Sequence, residues 1–474
     1  MQTALEQAWR THQAGEVAAA EAVYRQVLAR QPQHAAAHVY LGIALFDQRR
    51  FLESAAAYRT ALAITPQFPI AWNNLGNTLR MLGDVEQADA CFQKALDLQP
   101  GYLSPLKNRG TLWVWAGEIE RGLASYRQAL QLVPDDPELH RNLGVIYLLQ
   151  ERYAEGWPEY RWRWQCLPGG RPTHPCPLWQ GEDPQGKTFL LYPEQGIGDA
   201  IQFVRVCQTL RDAGARTILR CGGHLIPLLS SVPGIDLLIP DNVPLAQLAT
   251  GPIDYHASLI DVVDAWYGRT GELPTSAGKA DVNVHGYLSV SESLVDYWRR
   301  ALEASLPRAA GRRRIGICWQ GNPQHHADVY RSIPLAEFQP LTELADVSLI
   351  SLQHGAGSEQ LGRVEFGRLI ARLPESIDQS GGAFLDTAAI IRNLDLVITI
   401  DTSTAHLAGA LGVPVWVLLG RVPDWRWLQS GETTPWYPSM RLFRQSQIGR
   451  WSDVFERVAS ELRATSAASR RGHQ

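Results

Sequence analysis

The sequence has few cysteines and no excess of positive charge. Its 474 residues include six cysteines, without a C-x-x-C pair or a zinc-ligand spacing. Scattered thiols of this kind argue against a disulfide framework and favour a reducing compartment. Lys and Arg together number 44, against 48 Asp and Glu. Nucleic acid is therefore not expected as the main partner.

The sequence also shows neither the features of a leader peptide nor an apolar run that would span a membrane. The N-terminal residues lack a basic stretch followed by an apolar one, so we expect no secretory signal. The most apolar long run, 394–420, is interrupted by Asp395, Asp401 and His406. A buried strand–helix–strand explains that run better than a bilayer span. The sequence predicts a cytoplasmic protein without a membrane span, and its length predicts two or three domains.

The first third of the chain repeats with a period of 34 residues. Proline, glycine and aromatic positions each recur at that step, for example Pro66 and Pro100, or Gly42 and Gly76. The period and the content of 71–100 resemble the tetratricopeptide repeat, in which pairs of helices stack because one pair cannot bury its own apolar face. We expect such a solenoid over 1–165, with a divergent fifth unit at its end.

Arrays of this type usually grip an extended polypeptide on their concave surface. Asn74, Asn108 and Asn142 share one phase of the repeat. A ladder of asparagines at this phase would hydrogen-bond a peptide backbone, which predicts an acceptor groove for a protein partner. The alternative is that each asparagine satisfies a neighbouring turn.

After the repeats, the chain predicts a linker and two α/β halves. Proline and glycine crowd 166–186, a density that favours a linker over the protein surface. Short apolar runs then alternate with helical stretches, as in doubly wound parallel sheets. The fold class predicted is α + α/β, with Rossmann-like domains over 187–307 and 308–465 and a disordered tail over 466–474. The predicted strands are 188–192, 216–221, 236–240, 315–319, 347–353, 395–400 and 414–420.

The loop after the strand 395–400 is the strongest candidate for chemistry. Asp401 is predicted to cap a helix whose first turn carries three hydroxyls, and His406 lies on the face of the first of them. A helix N-terminus offers free N–H donors and a positive dipole end, which suit a diphosphate. Capping by these side chains with a structural histidine is the alternative. The candidate donor-binding residues here are Thr402, Ser403, Thr404 and His406.

Two further loops are predicted to face the same cleft. In open α/β sheets, ligands bind outside the carboxyl ends of the strands. The polar loop after strand 315–319 contains two adjacent histidines, His325 and His326, for which no metal site is expected. The candidate donor-binding residues of these loops are Trp319, Gln320, Asn322, Arg331 and Gln353.

The stretch 190–205 joins a strand to a helix through a glycine loop. Gly196 and Gly198 begin a dinucleotide fingerprint, but Ile201 stands where its third glycine belongs, so the fingerprint fails. Asp199 would repel a diphosphate bound at this helix start. We therefore expect the nucleotide in the other half and Asp199 as a general base across the cleft. A carboxylate that only favours the helix dipole is the alternative.

These residues resemble the heptosyltransferase-like glycosyltransferases of family 9, which have the two-domain GT-B fold. The Gly198-Asp199 pair matches the motif whose aspartate acts as base in that family. The segment from Asp401 to His406 matches the motif that binds the nucleotide diphosphate. The repeats in front, with the segments 155–164 and 424–428, resemble bacterial tetratricopeptide-repeat glycosyltransferases, including those that modify flagellin. The plan is also similar to the O-linked N-acetylglucosamine transferases.

The sequence thus predicts an inverting, metal-independent glycosyltransferase. A nucleotide sugar is expected as donor substrate, a protein as acceptor, and no cofactor. Two other readings stay open at this point. One is a non-catalytic repeat scaffold with a relic transferase module, and the other is a sugar-nucleotide epimerase of the same fold.

Overall fold

The computed structural model describes residues 2–245, 251–275, 286–305, 312–325, 328–379 and 381–471. The chain divides into two compact units. The first contains 1–146 and 159–168, and the second contains 147–158 and 169–474. His326, the boundary predicted at 307/308, and residues 472–474 of the predicted tail lie outside the described residues.

The N-terminal part of the chain is built of helices in antiparallel pairs. Successive pairs begin at Ala35, Pro69, Leu103 and Pro137, which matches the 34-residue period of the sequence. The helices are α1 Gln2–Gln13, α2 Val17–Arg30, α3 Ala35–Asp47, α4 Phe51–Ile64, α5 Pro69–Met81, α6 Val85–Leu98, α7 Leu103–Trp115, α8 Ile119–Leu132, α9 Pro137–Leu149, α10 Tyr153–Tyr160 and α11 Arg163–Cys166.

The repeated glycines explain how the helices of a pair approach each other. A β-carbon at Gly76 would lie 2.7 Å from the ring of Phe92, and one at Gly110 would lie 2.4 Å from the ring of Tyr126. The two rings are almost completely buried. Because no side chain fits between helix and ring, glycine is required where these two pairs cross.

The second unit contains two parallel sheets. The first has the strand order β3-β2-β1-β4, so that β1 is central. Its elements are β1 Thr188–Tyr192, α12 Ile197–Phe203, α13 Val206–Asp212, β2 Arg216–Cys221, α14 Ile226–Leu229, β3 Leu237–Pro240, β4 Tyr255–Ser258 and α15 Leu259–Thr270. The register pairs Leu190 with Ile218 on one side and with His256 on the other.

The second sheet has five parallel strands in the order β6-β5-β7-β8-β9. Its elements are α16 Glu292–Ser305, β5 Arg313–Cys318, α17 Asp328–Arg331, α18 Gln339–Thr342, β6 Val347–Ser351, α19 Leu385–Ile391, β7 Leu396–Ile400, α20 Ser403–Ala410, β8 Val415–Leu419, β9 Met440–Arg444 and α21 Ser452–Arg471. The strands β5, β7 and β8 are neighbours, so the loops after them share one edge of the sheet.

Two segments differ from the sequence-based expectations. The stretch predicted as a surface linker is partly built into the first sheet: Leu178 bridges to His256, and Trp179 is 1% exposed. An apolar side chain of that size inside a Pro/Gly-rich stretch favours burial over a free linker. The last helix runs to Arg471, through the first six residues of the predicted tail.

Candidate functional site

Asp199 lies in the first turn of α12. Gly196 is the N-cap, and Asp199 is the third helical residue. Its Oδ2 accepts a hydrogen bond of 3.0 Å from the backbone N–H of Gly196. The carboxylate therefore satisfies a backbone donor at the helix start, as the structural interpretation of this residue expected.

The other carboxylate oxygen of Asp199 forms an ion pair with Arg426. Arg426 belongs to the short 3₁₀ turn Trp425–Trp427 that follows β8, and its Nη2 donates to Oδ1 of Asp199. Its Nη1 donates to Oδ1 of Asp424 at 2.7 Å. The side chain of Arg426 is 7% exposed and that of Asp199 is 18% exposed. Carboxylate, guanidinium and carboxylate thus form a row in which Arg426 and Asp199 are largely withdrawn from water, while the Asp424 side chain is 36% exposed.

Burial is the main influence on the acidity of Asp199. It raises the pKa of the carboxyl, and the Arg426 guanidinium works against that rise. A carboxylate with a raised pKa is a better proton acceptor near neutral pH. The ion pair limits that gain, because a charge-assisted hydrogen bond favours the ionised form.

The loop after β7 begins a helix, as the sequence predicted, but one residue later. The N-cap of α20 is Thr402, with φ −144° and ψ 171°, and Asp401 precedes it. The prediction that Asp401 caps this helix is therefore wrong. The Thr402 hydroxyl lies 3.3 Å from the hydroxyl of Thr399 in β7. Ser403 is half-buried and Thr404 is buried.

His406 lies one turn further along α20 and is buried. Its ring stacks on Trp427, with centroids 5.1 Å apart and an interplanar angle of 20°. Its Nδ1 lies 3.1 Å from the hydroxyl of Tyr437. Burial lowers the pKa of His406 well below its ordinary value, and the charges of Arg426 and Arg205 lower it further. The imidazole is therefore neutral at physiological pH.

The helix starts of α12 and α20 touch. A β-carbon at Gly198 would lie 3.0 Å from Cδ2 of His406 and 3.5 Å from Oγ of Ser403. Glycine is needed at this point for the backbone to approach so closely. The contact brings the candidate base Asp199 into the neighbourhood of the candidate diphosphate loop, although the two come from different sheets.

The loop after β5 is held by Gln353 from the end of β6. The Gln353 Oε1 accepts hydrogen bonds from the backbone N–H groups of Trp319 and Gln320, at 3.1 and 2.9 Å. Its Nε2 donates to the carbonyls of Gln320 and Ala356. The polar atoms of Gln353, which we predicted would contact the donor, therefore hold the loop after β5 in place. The Trp319 side chain is completely buried in the hydrophobic core, which removes it from the candidate donor contacts.

The remaining predicted residues of this loop have neighbours of their own. Gln320 accepts from Gln360 at 3.0 Å, and the exposed Asn322 accepts from the backbone of Gln324 at 2.9 Å. Arg331 contacts the buried Asp328, with Nε to Oδ1 at 3.4 Å. Of the set, Arg331 supplies the positive charge.

Charged side chains from the loops after β5 and β8 influence the carboxyl group of Asp401, which follows β7. Burial and the Asp424 charge raise the pKa of Asp401 to about 6, while Arg331 and Arg426 oppose the shift. Arg331, Asp401 and Arg426 come from the loops after these three neighbouring strands. The site therefore combines two arginines with several carboxylates, one of which is partly protonated near neutral pH.

Sequence reasoning missed Arg426 and Arg205. The only signal for Arg426 was the segment 424–428, noted for its resemblance and not for its charge. Arg205 is 4% exposed, and its Nη2 donates to the hydroxyl of Tyr287 at 2.9 Å. Its guanidinium lies 4.5 Å from the ring centroid of Tyr437, the residue that also contacts His406. Arg205 therefore supports His406 through Tyr437.

The three asparagines of the predicted groove are half-buried and have partners within the first unit. Asn73 donates to Asn74 at 3.1 Å, and Asn108 donates to Asn73 at 3.0 Å. Asn142 accepts from Arg141 at 3.0 Å. A cavity of about 210 Å³ adjoins Asn74, and Ile43, Phe46, Tyr58 and Asn77 complete its lining.

Known proteins match mainly through the repeats. Tetratricopeptide-repeat families match residues 5–69, 69–102 and 116–150. The N-terminal part of the chain is a tetratricopeptide-repeat solenoid. Among solved structures, a thermophilic repeat protein of Thermus thermophilus, TTC0263, is 25% identical, with a TM-score of 0.31 over 34% of this chain and 87% of that one. The structure of Pseudomonas aeruginosa pilF is 18% identical, with a TM-score of 0.35 over 45% of this chain and 86% of that one.

A match to one curated protein extends beyond the length of the repeats. Protein FlbA of Caulobacter vibrioides is 28% identical over an alignment of 298 residues, and the match covers 61% of this chain and 48% of FlbA. The chain therefore spans about half the length of this relative. Within the described ranges, no helix has the length and apolar character needed to cross a bilayer.

Proposed function

We propose that this protein is a glycosyltransferase that moves a sugar from a nucleotide-sugar donor to a protein acceptor. The donor diphosphate would lie at the start of α20, and Asp199 would take the proton of the acceptor hydroxyl. The repeats would select the acceptor, for which flagellin is the candidate given by the resemblance. The six free cysteines are consistent with a cytoplasmic enzyme.

The observation that carries the proposal is the contact between α12 and α20. Gly198 lies against Ser403 and His406, so the carboxylate of Asp199 stands near a helix N-terminus with hydroxyl groups. A base for an acceptor and a cradle for a leaving diphosphate are the two parts that glycosyl transfer requires. Neither a fold nor a single motif would supply both.

In the proposed reaction, the acceptor oxygen attacks the anomeric carbon from the face opposite to the diphosphate. Its proton passes to the Asp199 carboxylate as the new carbon–oxygen bond forms. The bond from the anomeric carbon to the phosphate oxygen breaks, and its electron pair leaves with the nucleoside diphosphate. The N–H groups and dipole of α20, with Arg331 and Arg426, favour this developing charge.

The site contains several carboxyl groups, which would repel the negatively charged diphosphate if all of them were ionised and unpaired. An anion can bind there only if some of these groups are protonated or form ion pairs. Asp424 and Asp199 are paired with Arg426, and Asp328 is paired with Arg331. The pKa of Asp401, raised to about 6, lets that group take up a proton at small cost when an anion binds. The paired and partly protonated carboxylates therefore reduce the repulsion of a diphosphate.

A non-catalytic scaffold is the second candidate. The observation that favours it is that both oxygens of Asp199 already have partners, Gly196 and Arg426. A relic module would keep such contacts for stability alone.

Two measurements separate these candidates. Thermal shift with nucleoside diphosphates tests the donor site, and intact-mass analysis of acceptor proteins from cells with and without the protein tests transfer. We expect stabilisation by one nucleoside diphosphate and a hexose-sized or similar mass increment that depends on the protein. Absence of both would leave the scaffold as the function.

A further inference from the structure

The Asp199–Arg426 pair joins a candidate base to a cation that also acts on the donor loop. The Arg426 charge lowers the pKa of His406 and opposes the rise in the pKa of Asp401, and these two residues flank the start of α20. Trp427, the next residue in the chain, stacks on His406 with ring centroids 5.1 Å apart, so Arg426 lies close to the helix start assigned to the diphosphate. Arg426 is also the hydrogen-bond donor to Asp199.

A carboxylate in such an ion pair is a weaker base than an unpaired one. While Arg426 donates to Oδ1 of Asp199, the ionised carboxylate is stabilised and its proton affinity falls. A diphosphate carries more charge than a carboxylate, and its oxygens suit the planar fork of a guanidinium. The two anions would compete for one cation.

Building on the proposed function, we propose that Arg426 is passed from Asp199 to the donor diphosphate when the donor binds. Asp424 keeps hold of the other arm of the guanidinium, with Nη1 and the backbone N–H both donating to its Oδ1. The guanidinium can therefore turn about this anchor. Asp199 gains proton affinity only when the donor is in place, so that acceptor activation follows donor binding.

Reciprocity gives the proposal a distinctive consequence. If Asp199 and the diphosphate compete for Arg426, weakening the Asp199 contact must strengthen diphosphate binding by the same coupling. A candidate base that merely stood near the donor would not show this. The effect is measured by binding, without turnover.

The test is a double-mutant cycle measured by titration calorimetry on the full chain. The probes are ADP, UDP, GDP and CDP, and the tightest binder is used throughout. We expect Asp199→Asn to tighten its binding by about fivefold or more, within the usual range of coupling between sites. Arg426→Gln should weaken binding, and Asp199→Asn should give no gain in the Arg426→Gln background.

A general effect of removing negative charge is controlled by Glu194→Gln. Glu194 is buried, its Oε1 accepts from the Ser258 hydroxyl at 2.5 Å, and its charge contributes to the raised pKa of Asp199. A charge effect alone would make Glu194→Gln and Asp199→Asn tighten binding equally, and the gain would persist in the Arg426→Gln background. Either result overturns the shared-cation proposal.

Folding and function are kept apart in the same experiment. If Arg426→Gln does not fold, Arg426→Lys replaces it, because lysine retains the positive charge but lacks the planar fork of the guanidinium. In the Arg426→Lys background, the gain in nucleoside diphosphate affinity from Asp199→Asn should be smaller than in the wild type. If the wild type binds a nucleoside diphosphate but Asp199→Asn shows no gain, only the shared cation fails. If the wild type binds none of the four probes, the donor site itself fails, and the shared cation with it.

Discussion

Gly198 of α12 and His406 of α20 are in van der Waals contact across two sheets. The space between them is too small for a β-carbon, which would lie 3.0 Å from Cδ2 of His406. His406 cannot easily withdraw, because it is stacked on Trp427 and lies 3.1 Å from the hydroxyl of Tyr437. The approach of the two helix starts therefore depends on a residue without a side chain.

Gly198→Ala should destabilise the second unit. Overpacking against a fixed ring costs about 1–3 kcal/mol, and the better helix propensity of alanine offsets up to about 1 kcal/mol. Urea unfolding followed by tryptophan fluorescence measures the difference. Gly268→Ala in α15 is the matched control, since a β-carbon there meets nothing within 4 Å. Equal stability of both variants would contradict the close contact.

Asp199→Asn should abolish most of the proposed transferase activity without unfolding the protein. General-base catalysis contributes about 10²–10⁴ in rate, and turnover should fall by that factor. Arg426 keeps Asp424 as a partner, and asparagine can still accept from Gly196, so the fold should survive. Single-turnover kinetics with the native acceptor give the rate. Activity within a few-fold of the wild type would remove Asp199 as the base.

Thr402→Val should weaken binding of a nucleoside diphosphate. The hydroxyl at the N-cap of α20 is replaced by a methyl group of nearly the same size. A hydrogen bond to a charged group contributes about 1.5–3 kcal/mol, so affinity should fall about 10- to 100-fold. Thr399→Val is the control, because it removes the hydroxyl that lies 3.3 Å from that of Thr402 but is itself completely buried in β7. Unchanged affinity in Thr402→Val would leave its hydroxyl with the structural role alone.

The buried His406 should make stability depend on pH in the acid range. Because its folded pKa lies well below the ordinary value, the unfolded chain binds the proton first. The stability that it contributes is complete above about pH 6.5 and is lost as the pH falls below that value, by up to about 1.4 kcal/mol per unit.

His406→Gln removes this titration, so the difference in unfolding free energy between wild type and variant should shrink from pH 7.5 to pH 5. Asp401 has the opposite sign: its folded pKa of about 6 makes its contribution less favourable as the pH rises from about 4 to 6. Asp401 is present in both proteins, which is why the difference between them is the quantity to measure. A pH-independent difference would contradict a neutral, buried His406.

Two truncations test the role of the repeats. Trp157 is 2% exposed and packs edge-on against Trp425 at 5.6 Å, in the turn that holds Arg426. A chain that begins at 147 retains this contact and should still bind a nucleoside diphosphate, while losing glycosylation of the native acceptor. A chain that begins at 169 loses it and should melt at a lower temperature. Normal acceptor glycosylation by the 147–474 chain would exclude acceptor selection by the repeats.

The sequence by itself determined the secondary-structure elements whose residues follow a regular pattern. The 34-residue repeat predicted the helical pairs, and apolar runs predicted seven of the nine strands described. The two missed strands, Tyr255–Ser258 and Met440–Arg444, contain polar or charged residues and are short, so they give little pattern to read. Strand ends also pointed to the loops of the candidate site, because parallel sheets place their ligands there.

Partners distant in the chain were decided by the tertiary structure alone. Asp199 and Arg426 are 227 residues apart, and the sequence around each residue gives no indication that the two form an ion pair. Burial of Trp319 in the core and the use of Gln353 to hold the loop after β5 likewise depend on neighbours from other elements. Local periodicity shows which face of an element is buried. Which side chain meets it depends on how the elements pack.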